Sequence, residues 1–338
     1  MLNRPNDQVA LERPERPDQP TGASPGPLMA IGGAEDKLGK RTVLNAFVES
    51  AGGPNARIAV VPTASSLGPE VVEVYDALFR KLGAADVVTA RPESREEAND
   101  PELVARLHDV TGIFMTGGNQ LKLSAMVSGT AFGDAVRDAH LRGVIVGGTS
   151  AGASILSSHM VAFGPGGATP KQRMTQVAAG LGLVRDCVID QHFGQRNRYG
   201  RLLMIVAQSP NLLGIGVDED TAAVVTQEDG GEVLRVVGRG AVTVMDGTDI
   251  VSNAYEARRT APLLASGVKL HVLPAGTGFD LTHRSLVRTG QEVDPREAEE
   301  LEVAGRDLKR LARDIAAGDV SPSTLKRRRA RQHNEGDC

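Results

Sequence analysis

Tryptophan is missing from this 338-residue chain, and aromatic residues make up only 3% of it. A surface that stacks nucleic-acid bases needs several such rings, so that class of function is disfavoured. Charge of one sign is missing as well. The 38 basic and 42 acidic residues leave a net charge of −4, too little for a field that gathers polyanions. Two cysteines, Cys187 and Cys338, cannot make a disulfide framework, and Cys187 reads as a buried strand thiol. No apolar run reaches the length of about 18 residues that a membrane span requires. Histidine and cysteine nowhere gather at ligand spacing, so neither metal nor cofactor is expected. What the chain has in excess is glycine, 39 residues, most of them closing short apolar runs where α/β proteins turn tightly.

Six of the eighteen prolines fall in residues 1–27, which carry almost no apolar clustering and read as a disordered tail rather than a secretory signal. From Leu28 the texture changes. Apolar runs at 28–31, 57–61, 86–90, 112–115 and 144–146 alternate with helical stretches. One spans 70–82, with Val71, Val74, Leu78 and Leu82 on its apolar face. Another is capped by Asp100 and opened by Pro101, and a third spans 130–141. Strands alternating with helices predict parallel βαβ units with both sheet faces covered. Closely spaced strands follow at 212–218, 222–226, 232–237, 241–245 and 269–273, expected as antiparallel additions to the edge of the same sheet. The fold class is therefore α/β, a three-layer sandwich with a mainly parallel central sheet. Its catalytic domain spans 28–285. A helical extension occupies 286–318, with Leu301, Ala304, Leu308, Leu311 and Ile315 on one helical face. Residues 319–338 form a basic tail, read as solvated rather than nucleic-acid-binding.

The strongest chemical signal is the run Val144-Ile145-Val146-Gly147-Gly148-Thr149-Ser150-Ala151-Gly152-Ala153. An apolar strand entering Gly-x-Ser-x-Gly before a short helix is the setting of a nucleophile elbow. The amide of Ala151, at the start of that helix, is placed to stabilise a developing oxyanion. A serine N-cap on an ordinary strand-to-helix turn is the competing explanation. No Gly-Lys-Ser/Thr continuation supports a nucleotide loop.

Of the seven histidines, His192 ends the apolar strand 187–191, at the sheet edge where the elbow also lies, and is the candidate base. Asp218, Glu219 and Asp220 end the next long strand, and Asp190 lies two residues before His192. Any of these could orient the imidazole. The order serine, histidine, acid differs from that of the α/β-hydrolases. The turn Thr116-Gly117-Gly118-Asn119-Gln120 offers the Gly118 amide as a second oxyanion donor, or simply an Asn-capped helix start. Arg196, Arg198 and Arg201 follow His192 closely. Three arginines so near together are not expected all to fold back onto local acids, and read as aimed at carboxylates.

Taken with Ile31-Gly32-Gly33-Ala34-Glu35-Asp36, these motifs resemble the cyanophycinases. Those are serine exopeptidases related to aspartyl dipeptidases, with a fold like the class I glutamine amidotransferases. The resemblance covers about residues 28–284. It implies Ser150 as nucleophile, His192 as base and Glu219 as orienting acid, with Gln120, Asp190, Gln191, Arg196, Arg198 and Arg201 in the substrate pocket. It further implies cyanophycin, a polyaspartate carrying arginine on its side-chain carboxyls, as substrate and β-Asp-Arg dipeptides as products. The expected setting is a cytoplasmic homodimer without nucleic-acid or membrane partners. An aspartyl dipeptidase and a catalytically silent binder of acidic ligands remain the alternatives.

Overall fold

In the computed structural model, which describes residues 24–68 and 70–287, strand β1 (Leu28–Ile31) sets the layering. All four of its residues are buried. Leu28 and Ala30 enter one core while Met29 and Ile31 enter another, as the two-residue period of a doubly covered strand requires. There follow α1 (Thr42–Ser50), β2 (Arg57–Val61), α2 (Glu70–Lys81), β3 (Asp86–Thr89), α3 (Pro101–Ala105) and β4 (Gly112–Met115). Next come α4 (Gln120–Val127), α5 (Ala131–Leu141) and β5 (Ile145–Thr149). These strands pair in parallel in the order β1-β5-β4-β2-β3.

Helices α1 and α2 cover the Met29 face. There Phe47, Tyr75, Phe79 and Phe114 pack with ring centroids 5.0–5.9 Å apart, concentrating scarce aromatic area in one place. The opposite face is covered by α4 and α5 through Leu123, Phe132 and Val136. Local signals set the helix starts. Asp100 accepts from the Glu102 amide, Asn119 from Leu121 and Lys122, and Thr130 from Gly133. The stripe expected on α2 holds at Leu78, with Val71 and Leu82 packed against the core, and differs at Val74. Tyr75, Leu78 and Phe79 are its buried residues, while Val74 is 49% exposed. The aromatic cluster claims Tyr75 and Phe79 and turns Val74 outward.

After α6 (Ala151–Ser154) come the paired strands β6 (His159–Phe163) and β7 (Gln176–Ala179), then β8 (Cys187–Gln191) and α7 (Tyr199–Gln208). The remainder is strands: β9 (Leu213–Val217), β10 (Thr221–Glu228), β11 (Gly231–Gly238), β12 (Ala241–Asp246), β13 (Val251–Ser252), β14 (Ala265–Ser266), β15 (Lys269–Pro274), β16 (Gly278–Asp280) and β17 (Ser285–Val287). They divide differently from expectation. β10, β11, β16 and β17 extend the central sheet antiparallel from β1, giving the order β17-β16-β11-β10-β1-β5-β4-β2-β3. β15-β12-β9-β8 instead form a second sheet, in which β8 and β9 run parallel. One face of this sheet, through Ile189, Ile215 and Val244, shares the core of the first. The other, through Val188 and Met245, packs beneath α7 residues Leu202 and Val206. The expectation that all these strands join one sheet is corrected by that second buried face. Alternating apolar positions fit either arrangement, and α7 supplies the cover that makes a separate sheet stable.

Cys187 is buried on β8 as a free thiol, and burial pushes its pKa well up. Of the proline-rich stretch only residues 24–27 are described, and the buried Gly26 amide there donates to His140 O. The chain divides into units 1–288 and 289–338, and the described residues fall within the first. The predicted helical extension, from residue 288 on, and the basic tail lie outside the described residues. No helix among those described is long and apolar enough to cross a membrane.

Candidate active site

The turn that carries Ser150 is built where β5 ends. Ser150 has φ 54° and ψ −106°, a conformation that non-glycine residues rarely hold. Its amide donates to Ile31 O at 2.9 Å, carrying the β1–β5 pairing up to the turn, while Ser154 N and Ala153 N both bond back to its carbonyl. Close packing explains the small residues around it. A Cβ at Gly152 would lie 2.2 Å from Met115 O, so only glycine lets α6 sit against the end of β4. The half-buried serine is thereby fixed above the sheet's C-terminal edge.

His192 arrives from the other sheet. Its amide donates to Gly32 O at 2.7 Å, so the end of β8 is tied to the end of β1. His192 Nε2 lies 3.0 Å from Ser150 Oγ, and its Nδ1 lies 2.6 Å from Glu219 Oε1. The imidazole rests on Gly33. A Cβ there would approach its Cε1 to 2.3 Å, and Gly33 has φ 99°. Burial lowers the His192 pKa. The hydrogen bond to Glu219 opposes this, and the charges of Arg196 and Arg198 add to the lowering. The ring is therefore neutral at neutral pH, with Nδ1 donating to Glu219 and Nε2 able to accept the serine proton.

The three neighbouring acids divide their tasks. Glu219 is the one whose carboxylate reaches the imidazole. Asp218 accepts from Gly194 N and Ala241 N at 2.9 and 3.2 Å, and Asp220 accepts from Asp36 N at 2.8 Å. The latter two brace the turns on either side. The amide of Glu219 itself donates to Gln195 Oε1 at 3.0 Å. On the opposite side of the serine the 117–118 turn passes close by. A Cβ on Gly117 would sit 3.4 Å from Ser150 Cβ.

The arginines differ from expectation. Arg201 is buried and clamps Asp190 with two nitrogens, Nε at 2.6 Å from Oδ2, while its remaining nitrogen donates to Gly164 O at 2.7 Å. Arg198 is also buried and reaches Asp190 Oδ1 at 3.2 Å and both oxygens of Gln191. Burial brings the Arg198 pKa down to about 10, which still leaves it charged at neutral pH. Two of the three arginines thus fold back onto a local acid. The tight turn after His192 reverses the chain, and α7 then lays positions 198 and 201, one helical turn apart, over the end of β8. Arg196 is exposed and has no ion-pair partner among the described residues. Gln120 is held through Nε2 to Val161 O at 3.0 Å.

One further buried group of the site has a role that the sequence does not announce. Glu35, only 4% exposed, accepts from Thr149 Oγ1 at 2.6 Å, Tyr75 OH at 2.5 Å and Lys37 Nζ at 2.8 Å. Burial opposes its charge, but Lys37 and these bonds outweigh burial and hold its carboxyl below the usual range. It ties the β1–α1 loop to the residue preceding Ser150. A glutamate following Gly-Gly-Ala at the end of a buried strand was the available signal. Among the described residues no group of three or more His, Cys, Asp or Glu side chains could hold a metal ion.

A strained serine hydrogen-bonded to a histidine, itself bonded to a carboxylate, at the edge of an α/β sheet defines a class: the serine-type hydrolases. Residues 28–233 match peptidase family S51. Over 262 residues the chain is 40% identical to the cyanophycinase of Synechococcus elongatus, covering 77% of this chain and 80% of that one. Over 290 residues it is 36% identical to the cyanophycinase of a Nostoc species, covering 85% and 96%. A crystal structure of a peptidase from an acI-B1 actinobacterium shares the fold, with TM-score 0.55 and 22% identity over 76% of this chain and 97% of that one. The chain belongs to peptidase family S51 and is a serine-type peptidase.

Proposed function

We propose that this peptidase degrades cyanophycin to β-Asp-Arg dipeptides as an exopeptidase, through a Ser150–His192–Glu219 triad and an acyl-enzyme. The observation that carries the mechanism is the unbroken hydrogen-bond chain from Ser150 Oγ through the imidazole to Glu219. Ser150 Oγ attacks a backbone carbonyl of the polyaspartate while His192 Nε2 takes its proton and passes it to the leaving amine. Glu219 keeps the proton on Nδ1 and stabilises the imidazolium that forms. The amides of Gly118 and Ala151 face the developing oxyanion. Water, deprotonated by the same histidine, then releases the acyl group. The substrate assignment is supported by the relatives named cyanophycinase, which are 36–40% identical over most of this chain.

Within the pocket, Arg196 is the arginine free to meet a substrate carboxylate. Asp190, Gln191, Arg198 and Arg201 form the buried frame that carries it, and Gln120 closes the side toward β6. Action as a homodimer in the cytoplasm belongs to the same proposal. Incubating the protein with insoluble cyanophycin and reading the soluble products by mass spectrometry tests it directly. β-Asp-Arg is the expected product. Cleavage only of short soluble aspartyl peptides would make this an aspartyl dipeptidase instead.

A further inference from the structure

Ser150 opens on its second side into a cleft of ≈ 360 Å³ between the β1–α1 loop and α2, a volume typical of small-ligand sites. Its wall is aliphatic and unusually open to solvent. Leu67 is 62% and Val74 49% exposed, and Val71 lies between them on the helix side. The floor is Glu35, Tyr75 and Thr149. Lys37 also borders the cleft, but its ammonium is held by Glu35 at 2.8 Å and lies over the Tyr75 ring. The floor charges therefore cancel.

Glu70, at the first position of α2, lines the same cleft, and its carboxylate has no ion-pair or hydrogen-bond partner among the described residues. Its carboxylate folds back over Gly68, where a Cβ would come within 2.8 Å of Oε2. The cleft thus runs from the reactive serine along an aliphatic wall and carries one uncompensated negative charge. That arrangement is complementary to a ligand with an apolar stem and a cationic end.

We propose that this cleft is the subsite for an arginyl side chain of the substrate, its methylene stem on Leu67, Val71 and Val74 and its guanidinium on Glu70. The inference rests on the peptidase function proposed above and adds to it the place where the cationic group binds. A planar guanidinium matches a carboxylate bidentately, so arginine is favoured over lysine at this position. It also gives the two sides of Ser150 opposite preferences, carboxylate toward Arg196 and guanidinium toward Glu70.

The test compares kcat/KM for two synthetic substrates, a β-Asp-Arg oligomer and its citrulline counterpart, which keeps the shape and removes the charge. Wild type should prefer the arginine substrate about tenfold, chiefly through KM, as one hydrogen-bonded charge contact implies. In E70Q that preference should collapse to about unity. In V74K, which places a cation on the wall at an exposed position, it should fall below unity. Equal turnover of both substrates by wild type, or an undiminished preference in E70Q and V74K, overturns the subsite while leaving the peptidase function standing. Failure of wild type to cleave either substrate overturns that function and the subsite with it.

Discussion

Two charged regions flank Ser150, and they differ in how their charges are answered. On one side Asp190, Arg198 and Arg201 are buried and paired with one another, one carboxylate held by two guanidiniums, leaving Arg196 as the arginine that faces solvent. On the other, Glu35 and Lys37 cancel at the floor of a cleft and Glu70 stands unpaired above them. In sequence the first region looks like a ligand-binding cluster and the second like an ordinary helix start. Geometry reverses that impression. Side chains paired within the fold act as framework, and on the proposed reading the unpaired one on each side, Arg196 or Glu70, meets the substrate.

The proposed catalytic pair between the two regions sets the largest effect. Ser150→Ala and His192→Ala should each lose kcat by roughly a millionfold, and the double variant should lose little more, because the pair acts as a unit. Strictly multiplicative losses would mean that the two do not cooperate. Glu219→Gln keeps the shape but cannot stabilise imidazolium, so its loss should be smaller, about 10³–10⁴-fold in kcat. A larger loss in Asp218→Asn would assign the orienting role to the wrong acid.

Within the arginine region the contrast can be broken directly. Arg201→Ala strips a buried carboxylate of its main partner and should destabilise the protein by about 3–5 kcal/mol, seen as a fall in Tm. Arg196→Ala should leave Tm nearly unchanged and raise KM. Equal thermal effects would erase the distinction between framework and contact. The smallest effect concerns pH. Burial lowers the His192 pKa, and the Arg196 charge lowers it further. With His192 as the proposed base, activity needs the neutral ring, so kcat/KM should fall only as pH drops through that depressed value. Arg196→Gln removes one lowering influence and should move the acid limb to higher pH. A limb that stays put, or moves down, would show that Arg196 does not act on the imidazole.

Much of this was legible in advance because it is written in local pattern. Buried strands β1, β2 and β4 stand out as apolar runs, the Asp100 and Asn119 caps as short polar signals, and Ser150 as a serine between close-packed glycines. What was not legible depends on long-range pairing. The membership of β8, β9 and β12 in a second sheet follows from α7 covering their far face, and periodicity cannot reveal that. The return of Arg198 and Arg201 to Asp190 depends on the reversal after His192, where His192 and Asn197 both have positive φ. The outward turn of Val74 on α2 depends on ring packing between Tyr75, Phe79 and Phe114, and it leaves Val74 free to line the cleft.

The most direct test of the central claim, that Ser150 is a nucleophile activated by His192, is covalent labelling with a fluorophosphonate read by intact mass and peptide mapping. One adduct per chain is predicted, on the peptide carrying Ser150, forming orders of magnitude more slowly in His192→Ala and not at all in Ser150→Ala. An adduct on another residue, or unchanged labelling in Ser150→Ala, would contradict the account.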